Sequence, residues 1–230
     1  MFPLLQLLFA CQAPAAPPPD PFWNGHESML RGEPEGAVCT VVALHGYGAD
    51  PVDLKNLFTG YPGDLQVLLP RAPDQVHQRG WSWFPRLRDV GRDELASGVN
   101  ARADALVAAL PTAPTQRPIL GKPIITGFSQ GGMLAFTAAA HHPEAFSASL
   151  PLSGFLPDLT PPTAPGIPVH AFHGALDNVI PAADAQASVD LLQKAGWNAT
   201  VKIYPDTTHS VPAPVRADLY AAIAEACAAR

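Results

Sequence analysis

Gly127-Phe128-Ser129-Gln130-Gly131 sets one serine between two glycines. The apolar, β-branched run Ile124-Ile125-Thr126 leads into it, and Gly132-Met133-Leu134-Ala135 follows with helix-forming residues. A strand that enters a helix through a G-x-S-x-G pentapeptide is the setting of a nucleophile elbow. The requirement is steric, because a serine held at a sharp turn crowds its neighbours, and the residues two before and two after it must lack a Cβ. Such a turn lifts the Ser129 hydroxyl clear of the sheet, and the helix N-terminus aims free N–H groups at the reacting atom. The pentapeptide alone also suits a plain Gly/Ser turn, and the flanking strand and helix favour the nucleophile.

A serine hydroxyl needs a base to take its proton, and the base needs an acid to orient its ring. Eight histidines compete for the first role. His26 and His77 precede any element that would fix them, and His141 and His142 close the elbow helix. His170 lies within a strand, while His45 and His173 each precede a glycine at a strand end, where a His-Gly pair shapes a turn. His209 sits between the last strand and the last helix, on the rim where Ser129 lies, and is the candidate base. For the acid, Asp177 follows the strand that ends at His173 and reaches the same rim. Asp206, in the loop of His209, and Asp158, in a proline-rich loop, are its rivals. The order Ser129, Asp177, His209 is the one expected of an α/β-hydrolase. The oxyanion of a tetrahedral intermediate needs two preset donors. The N–H of Gln130 is one candidate, and the glycine loop His45-Gly46-Tyr47-Gly48 after the first core strand supplies the other.

Stepping outward from these residues, strand and helix patterns alternate almost to the end of the chain. Strands are expected at 38–44, 66–69, 124–128, 145–152, 168–173 and 200–204. Helices are expected at 51–58, 93–110, 129–141, 182–195 and 212–229, and 70–92 reads as a long irregular segment. The core strands are continuously apolar, as strands buried on both faces are. The fold class is therefore α/β: an α/β-hydrolase fold with a mostly parallel central sheet, helices on both faces and no large lid. Ligands in such sheets bind beyond the carboxyl ends of the strands. The chain's 230 residues, 47% hydrophobic and 15% charged, suffice for one core. A net charge of −6 without a basic tract argues against nucleic acid as a partner.

Residues 1–11, an apolar run ending in Leu8-Phe9-Ala10-Cys11, resemble a bacterial lipoprotein signal with Cys11 in its lipobox. Residues 12–25 then read as an Ala/Pro-rich tether, and 26–230 as the hydrolase domain. Attachment of the lipidated Cys11 to a membrane places the protein in the cell envelope, and the alternative is a cytoplasmic protein with an N-terminal extension. Cys39, within a strand pattern, and Cys227, in the last helix, are expected to be two buried free thiols.

Several motifs in register resemble the phospholipase/carboxylesterase family of α/β-hydrolases, which includes small bacterial carboxylesterases and acyl-protein thioesterases. They are Leu44-His45-Gly46-Tyr47-Gly48-Ala49, Pro70-Arg71-Ala72-Pro73, Trp83-Phe84, Gly127-Phe128-Ser129-Gln130-Gly131-Gly132, Leu152-Ser153-Gly154-Phe155-Leu156-Pro157, His173-Gly174 with Asp177 and Ile180-Pro181, and Thr208-His209. The resemblance implies Ser129, Asp177 and His209 as a triad, the Tyr47 and Gln130 amides as oxyanion hole, and neither metal nor organic cofactor. Trp81, Trp83, Phe155 and Val179 are the candidates for the substrate pocket, although both tryptophans also suit packing under a long loop. The stretch Gln78-Arg79-Gly80-Trp81-Ser82 and Pro85 depart from the thioesterase branch, which leaves the acyl group open. The expected function is hydrolysis of short- to medium-chain carboxylic esters, a small-molecule substrate class. Lysophospholipase or thioesterase chemistry on the same site is the alternative. A serine peptidase and a non-catalytic binding module are further readings.

Overall fold

The computed structural model describes residues 22–32, 35–86, 88–164 and 166–229. In chain order its elements are β1 (Glu27–Arg31), β2 (Thr40–Leu44), α1 (Lys55–Phe58), β3 (Leu65–Leu69), β4 (Asp74–His77), β5 (Gly80–Ser82), α2 (Arg92–Ala109) and β6 (Ile124–Phe128). They continue with α3 (Gln130–His141), β7 (Ala148–Leu152), β8 (Val169–Gly174), α4 (Ala182–Lys194), β9 (Ala199–Tyr204) and α5 (Ala213–Ala228). Seven strands form one sheet in the order β1-β3-β2-β6-β7-β8-β9, and β4 pairs with β5 in a separate hairpin. Every neighbouring pair in the large sheet is parallel except β1 with β3.

Alternate side chains of each strand go to opposite faces. Val42, Leu44, Leu68 and Ile125 pack with Leu95, Val99, Leu106 and Leu134 of α2 and α3. Val41, Ala43, Val67, Leu69 and Ile124 pack with Val215, Leu219 and Ile223 of α5. Both faces are thus covered, which is why the core strands read as unbroken apolar runs. Since β2, β6, β8 and β9 run parallel, their carboxyl ends share one rim. The loops after them carry Tyr47, Ser129, Asp177 and His209.

The sequence reading misses two features of strand pairing. β1 is an edge strand whose five residues are all half-buried, so no apolar alternation marks it. The segment 70–92, expected to be irregular, contains the β4–β5 hairpin, and His77 closes β4 rather than standing free of any strand. The packed domain also begins inside the expected tether. Phe22 is buried and stacks on Trp83 at 6.0 Å, and the Trp23 indole N–H donates to the Ala109 carbonyl at 2.9 Å. The expected signal, Cys11 and most of the tether lie outside the described residues.

Cys39 and Cys227 are not free thiols but a disulfide, with Cα atoms 5.7 Å apart across 188 residues of sequence. Cys39 stands immediately before β2, and α5 lies back over that face of the sheet so that its last turn reaches the strand's entry. The pairing depends on tertiary packing, to which local sequence pattern is blind. Closing so long a loop restricts the unfolded chain, a stabilisation of about 2–5 kcal/mol. Reduction, or Cys227→Ser, is therefore expected to lower Tm by about 5–15 °C for a domain of this size. A melt in reductant that leaves Tm within a degree would show that α5 needs no such tie.

Candidate active site

Ser129 lies between β6 and α3 with φ 58° and ψ −114°, one of two non-glycine residues with positive φ among the described residues. Its own N–H donates to the Leu152 carbonyl at 3.0 Å, which anchors the strained turn to β7. The demand for glycine is literal at Gly131, where a Cβ would stand 2.0 Å from the Leu44 carbonyl oxygen. The helix can therefore start only where the strand end leaves no room for a side chain.

His209 Nε2 is 2.9 Å from Ser129 Oγ, and its Nδ1 is 2.7 Å from Asp177 Oδ2. The imidazole rests tilted against the Phe128 ring at 4.7 Å. The Asp177 side chain is fully buried. Burial alone would raise its pKa, but the Ile180 N–H, the His209 ring and the Val179 N–H all favour the charged form and together hold it below the ordinary carboxylate value. The Ile180 and Val179 N–H groups both donate to Oδ1, each at 2.9 Å, leaving Oδ2 for the histidine. The loops that carry acid and base are joined directly, with the Leu176 N–H donating to the Thr207 carbonyl at 2.9 Å. Gly174 permits that contact, since a Cβ there would lie 2.2 Å from the Thr207 oxygen.

The rival acids are elsewhere. Asp206 is exposed, and Asp158 accepts from Asn100 and from the Thr160 N–H. The remaining histidines also have other partners. His142 pairs with Asp104, His170 with Thr200 and His26 with the Trp23 carbonyl. His141 approaches Asp158, and His77 packs beside Gly48 and Gly80. His45 does more than shape a turn. Its buried Nε2 accepts from the Ala72 N–H at 3.1 Å, so Nδ1 carries the hydrogen and donates to the Gly46 carbonyl at 2.8 Å. Burial lowers its pKa, with the Gly46 carbonyl opposing in part, and this keeps the acceptor nitrogen free of a proton.

The loop 45–49 lies directly over the nucleophile, where a Cβ on Gly46 would sit 3.4 Å from the Ser129 Cβ. Among the described residues, neither the Tyr47 nor the Gln130 N–H donates to a backbone carbonyl. The structure also shows how this loop is braced, which the sequence reading did not anticipate. Trp83, with no exposed surface, donates its indole N–H to the His45 carbonyl at 2.8 Å. Trp81 exchanges backbone bonds with the loop, accepting from Gly48 N–H at 2.8 Å and donating to the Ala49 carbonyl at 3.1 Å. The Gln130 side chain accepts from Ser82 Oγ and the Trp83 N–H and donates to the Phe84 carbonyl, pinning segment 82–84 onto the elbow. A buried amide with every polar atom used holds a single conformation.

A cleft of about 810 Å³ opens above Ser129. Leu57, Leu95, Met133 and Phe155 give it an apolar wall, and Val179, 62% exposed, stands at its mouth. Of the pocket candidates, Phe155 and Val179 line this cleft. Trp81 and Trp83 do not line the cleft and instead support the loop beneath it.

Set against known proteins, residues 32–225 match the model of the Phospholipase/Carboxylesterase family. Esterase YpfH of Escherichia coli (strain K12) is 24% identical over 192 residues, covering 81% of this chain and 82% of that protein. A probable carboxylesterase of Oryza sativa subsp. japonica is 33% identical over 93 residues, 38% of this chain, and the match spans 35% of the rice protein. Among solved structures, that of esterase PE8 superposes with a TM-score of 0.73 at 24% identity, covering 87% of this chain and 98% of that one, a likeness of fold. With the family's pattern running through most of its length, and around the serine, histidine and aspartate just described, the chain belongs to the phospholipase/carboxylesterase family of α/β-hydrolase enzymes.

Proposed function

We propose that the protein is a serine carboxylesterase that cleaves short- to medium-chain carboxylic esters through an acyl-enzyme. The observation that carries this reading is the unbroken line of contacts from Asp177 through His209 to Ser129. Ser129 Oγ attacks the acyl carbon while its proton passes to His209 Nε2. The Tyr47 and Gln130 N–H groups receive the oxyanion, an interaction worth about 3–4 kcal/mol per donor in other acyl-transfer enzymes. Asp177 holds the imidazole in the tautomer that leaves Nε2 bare, and stabilises the imidazolium. Collapse breaks the ester C–O bond, and the departing alcohol takes the proton from His209. Water, losing a proton to the same nitrogen, then adds to the acyl-enzyme and releases the acid and free Ser129. The apolar wall of the cleft and its open mouth favour acyl groups of moderate length with a solvated leaving group.

A series of p-nitrophenyl esters from acetate to palmitate tests the reading. The expected optimum lies between butyrate and octanoate. An optimum at palmitate would move the protein to lysophospholipase or acyl-thioesterase chemistry, and a folded protein inert across the series would end the esterase reading.

We also propose that it works outside a reducing cytosol, attached through lipidated Cys11. The Cys39–Cys227 disulfide supports this, because such bonds persist in oxidising compartments. Of the chain's three cysteines it leaves Cys11 for lipid. Cys11→Ser is expected to shift the protein from the membrane to the soluble fraction, and an unchanged distribution would contradict the anchor.

A further inference from the structure

His173, at the end of β8, is 1% exposed and takes no part in the proton transfers above. Its Nε2 stands 2.9 Å from the Ile180 carbonyl oxygen and 3.2 Å from Asp177 Oδ2. Its Nδ1 is buried without a hydrogen-bond partner. Both neighbours of Nε2 accept hydrogen bonds and neither can donate, so Nε2 carries the hydrogen and Nδ1 is bare. The opposite tautomer would bury an unpaired N–H and set a lone pair against two oxygens, a costly arrangement. That N–H donates to the Ile180 carbonyl, and the ring edge lies 3.2 Å from the oxygen of Asp177 that also receives His209.

We propose that His173 is a positioning residue for the Asp177–His209 pair, acting through Ile180. This rests on the esterase reading of the site. Asp177 Oδ1 is fixed by the Val179 and Ile180 N–H groups, and Oδ2 takes the His209 bond with the His173 ring 3.2 Å away. Without the His173 ring, the Ile180 carbonyl would lose its partner, and the turn that presents Asp177 to His209 would be held less firmly. Ile180 closes the arrangement, since its N–H goes to Asp177 and its carbonyl to His173. The other ionisable groups around the site are His45, Asp53, Arg86, Arg88, Asp184 and Arg216, all in the cleft wall. Asp53, Arg86 and Asp184 have partners of their own in the Asp50 N–H, Asp89 and Arg92. No charged side chain other than Asp177 makes an ion pair with His173 or His209 among the described residues.

The test compares His173→Phe, which keeps a flat ring but no donor, with His173→Gln, whose amide N–H2 can replace Nε2–H. Values of kcat and KM are taken separately for wild type and both variants, with Ser129 acylation of each followed by mass. In His173→Phe kcat is expected to fall about tenfold with little change in KM, as loss of one hydrogen bond that positions the acid implies. His173→Gln, which can donate to the Ile180 carbonyl, is expected to restore most of kcat. A phenylalanine variant with wild-type kcat, one whose KM rises as much as its kcat falls, or a glutamine variant no better than phenylalanine, would overturn the proposal and leave His173 a packing residue. Imidazole 15N shifts of the wild-type protein give a reading that needs no variant. They should show His173 protonated on Nε2 and bare on Nδ1, and the reverse tautomer would overturn the proposal. A wild type with neither hydrolysis nor Ser129 acylation would instead count against the esterase reading, while the tautomer result would stand apart from it.

Discussion

Ser129→Ala is expected to lower kcat by about 1,000- to 1,000,000-fold, the range over which loss of a triad nucleophile operates. The residual rate over water would come from binding and from the oxyanion donors, which the substitution leaves in place. Stability should hardly change. Among the described residues the serine hydroxyl has one hydrogen-bond partner, His209 Nε2 at 2.9 Å, and the strained turn is kept by the Ser129 N–H on Leu152 and by the flanking glycines. The check is kcat/KM on p-nitrophenyl butyrate beside a thermal melt. A folded variant that keeps a tenth of the wild-type rate would contradict the account.

Asp177→Asn should cost about 10,000-fold in kcat, the scale seen when a triad acid becomes an amide. The geometry gives the reason for this chain. The Val179 and Ile180 N–H groups both donate to one oxygen of residue 177, so the amide carbonyl must take that position. The NH2 then faces His209 Nδ1 and donates to it. That forces the hydrogen onto Nε2, where it points at Ser129 and blocks acceptance of the serine proton. The two proteins should also differ in acid. The folded pKa of Asp177 is depressed, so the aspartate contributes stability that is present above the unfolded value near 4 and is lost as pH falls through the folded value. Wild-type Tm should therefore drop faster than that of the asparagine variant below about pH 4. Parallel acid melts would count against the depressed pKa.

The parts of this site that could be read from sequence are those fixed by local steric rules. The elbow needs glycine at 127 and 131 because backbone would collide with any Cβ, and that need is written in the pentapeptide itself. Asp177 and His209 follow recognisable strands, so the parallel sheet alone carries them to one rim. What was not legible depends on distant segments meeting. The Cys39–Cys227 bond joins the first core strand to the last helix, and neither residue's neighbourhood marks the other. β1 is half-buried along its length and lacks a period to detect. Trp81 and Trp83 were candidates for the pocket because large aromatics near a cleft often line it, yet the β4–β5 hairpin turns them under the loop of Tyr47. His45 and His173 each read as half of a His-Gly turn. Only packing shows that one ring accepts from Ala72 and the other donates to the Ile180 carbonyl beside Asp177.

The central claim is that Ser129 is the nucleophile. Its most direct test is reaction of the full chain with a fluorophosphonate, followed by intact mass and peptide mapping. The account predicts one adduct per chain, on the peptide carrying Ser129, and none in Ser129→Ala. An adduct on another residue, or a folded wild-type protein that takes up no label, would contradict it.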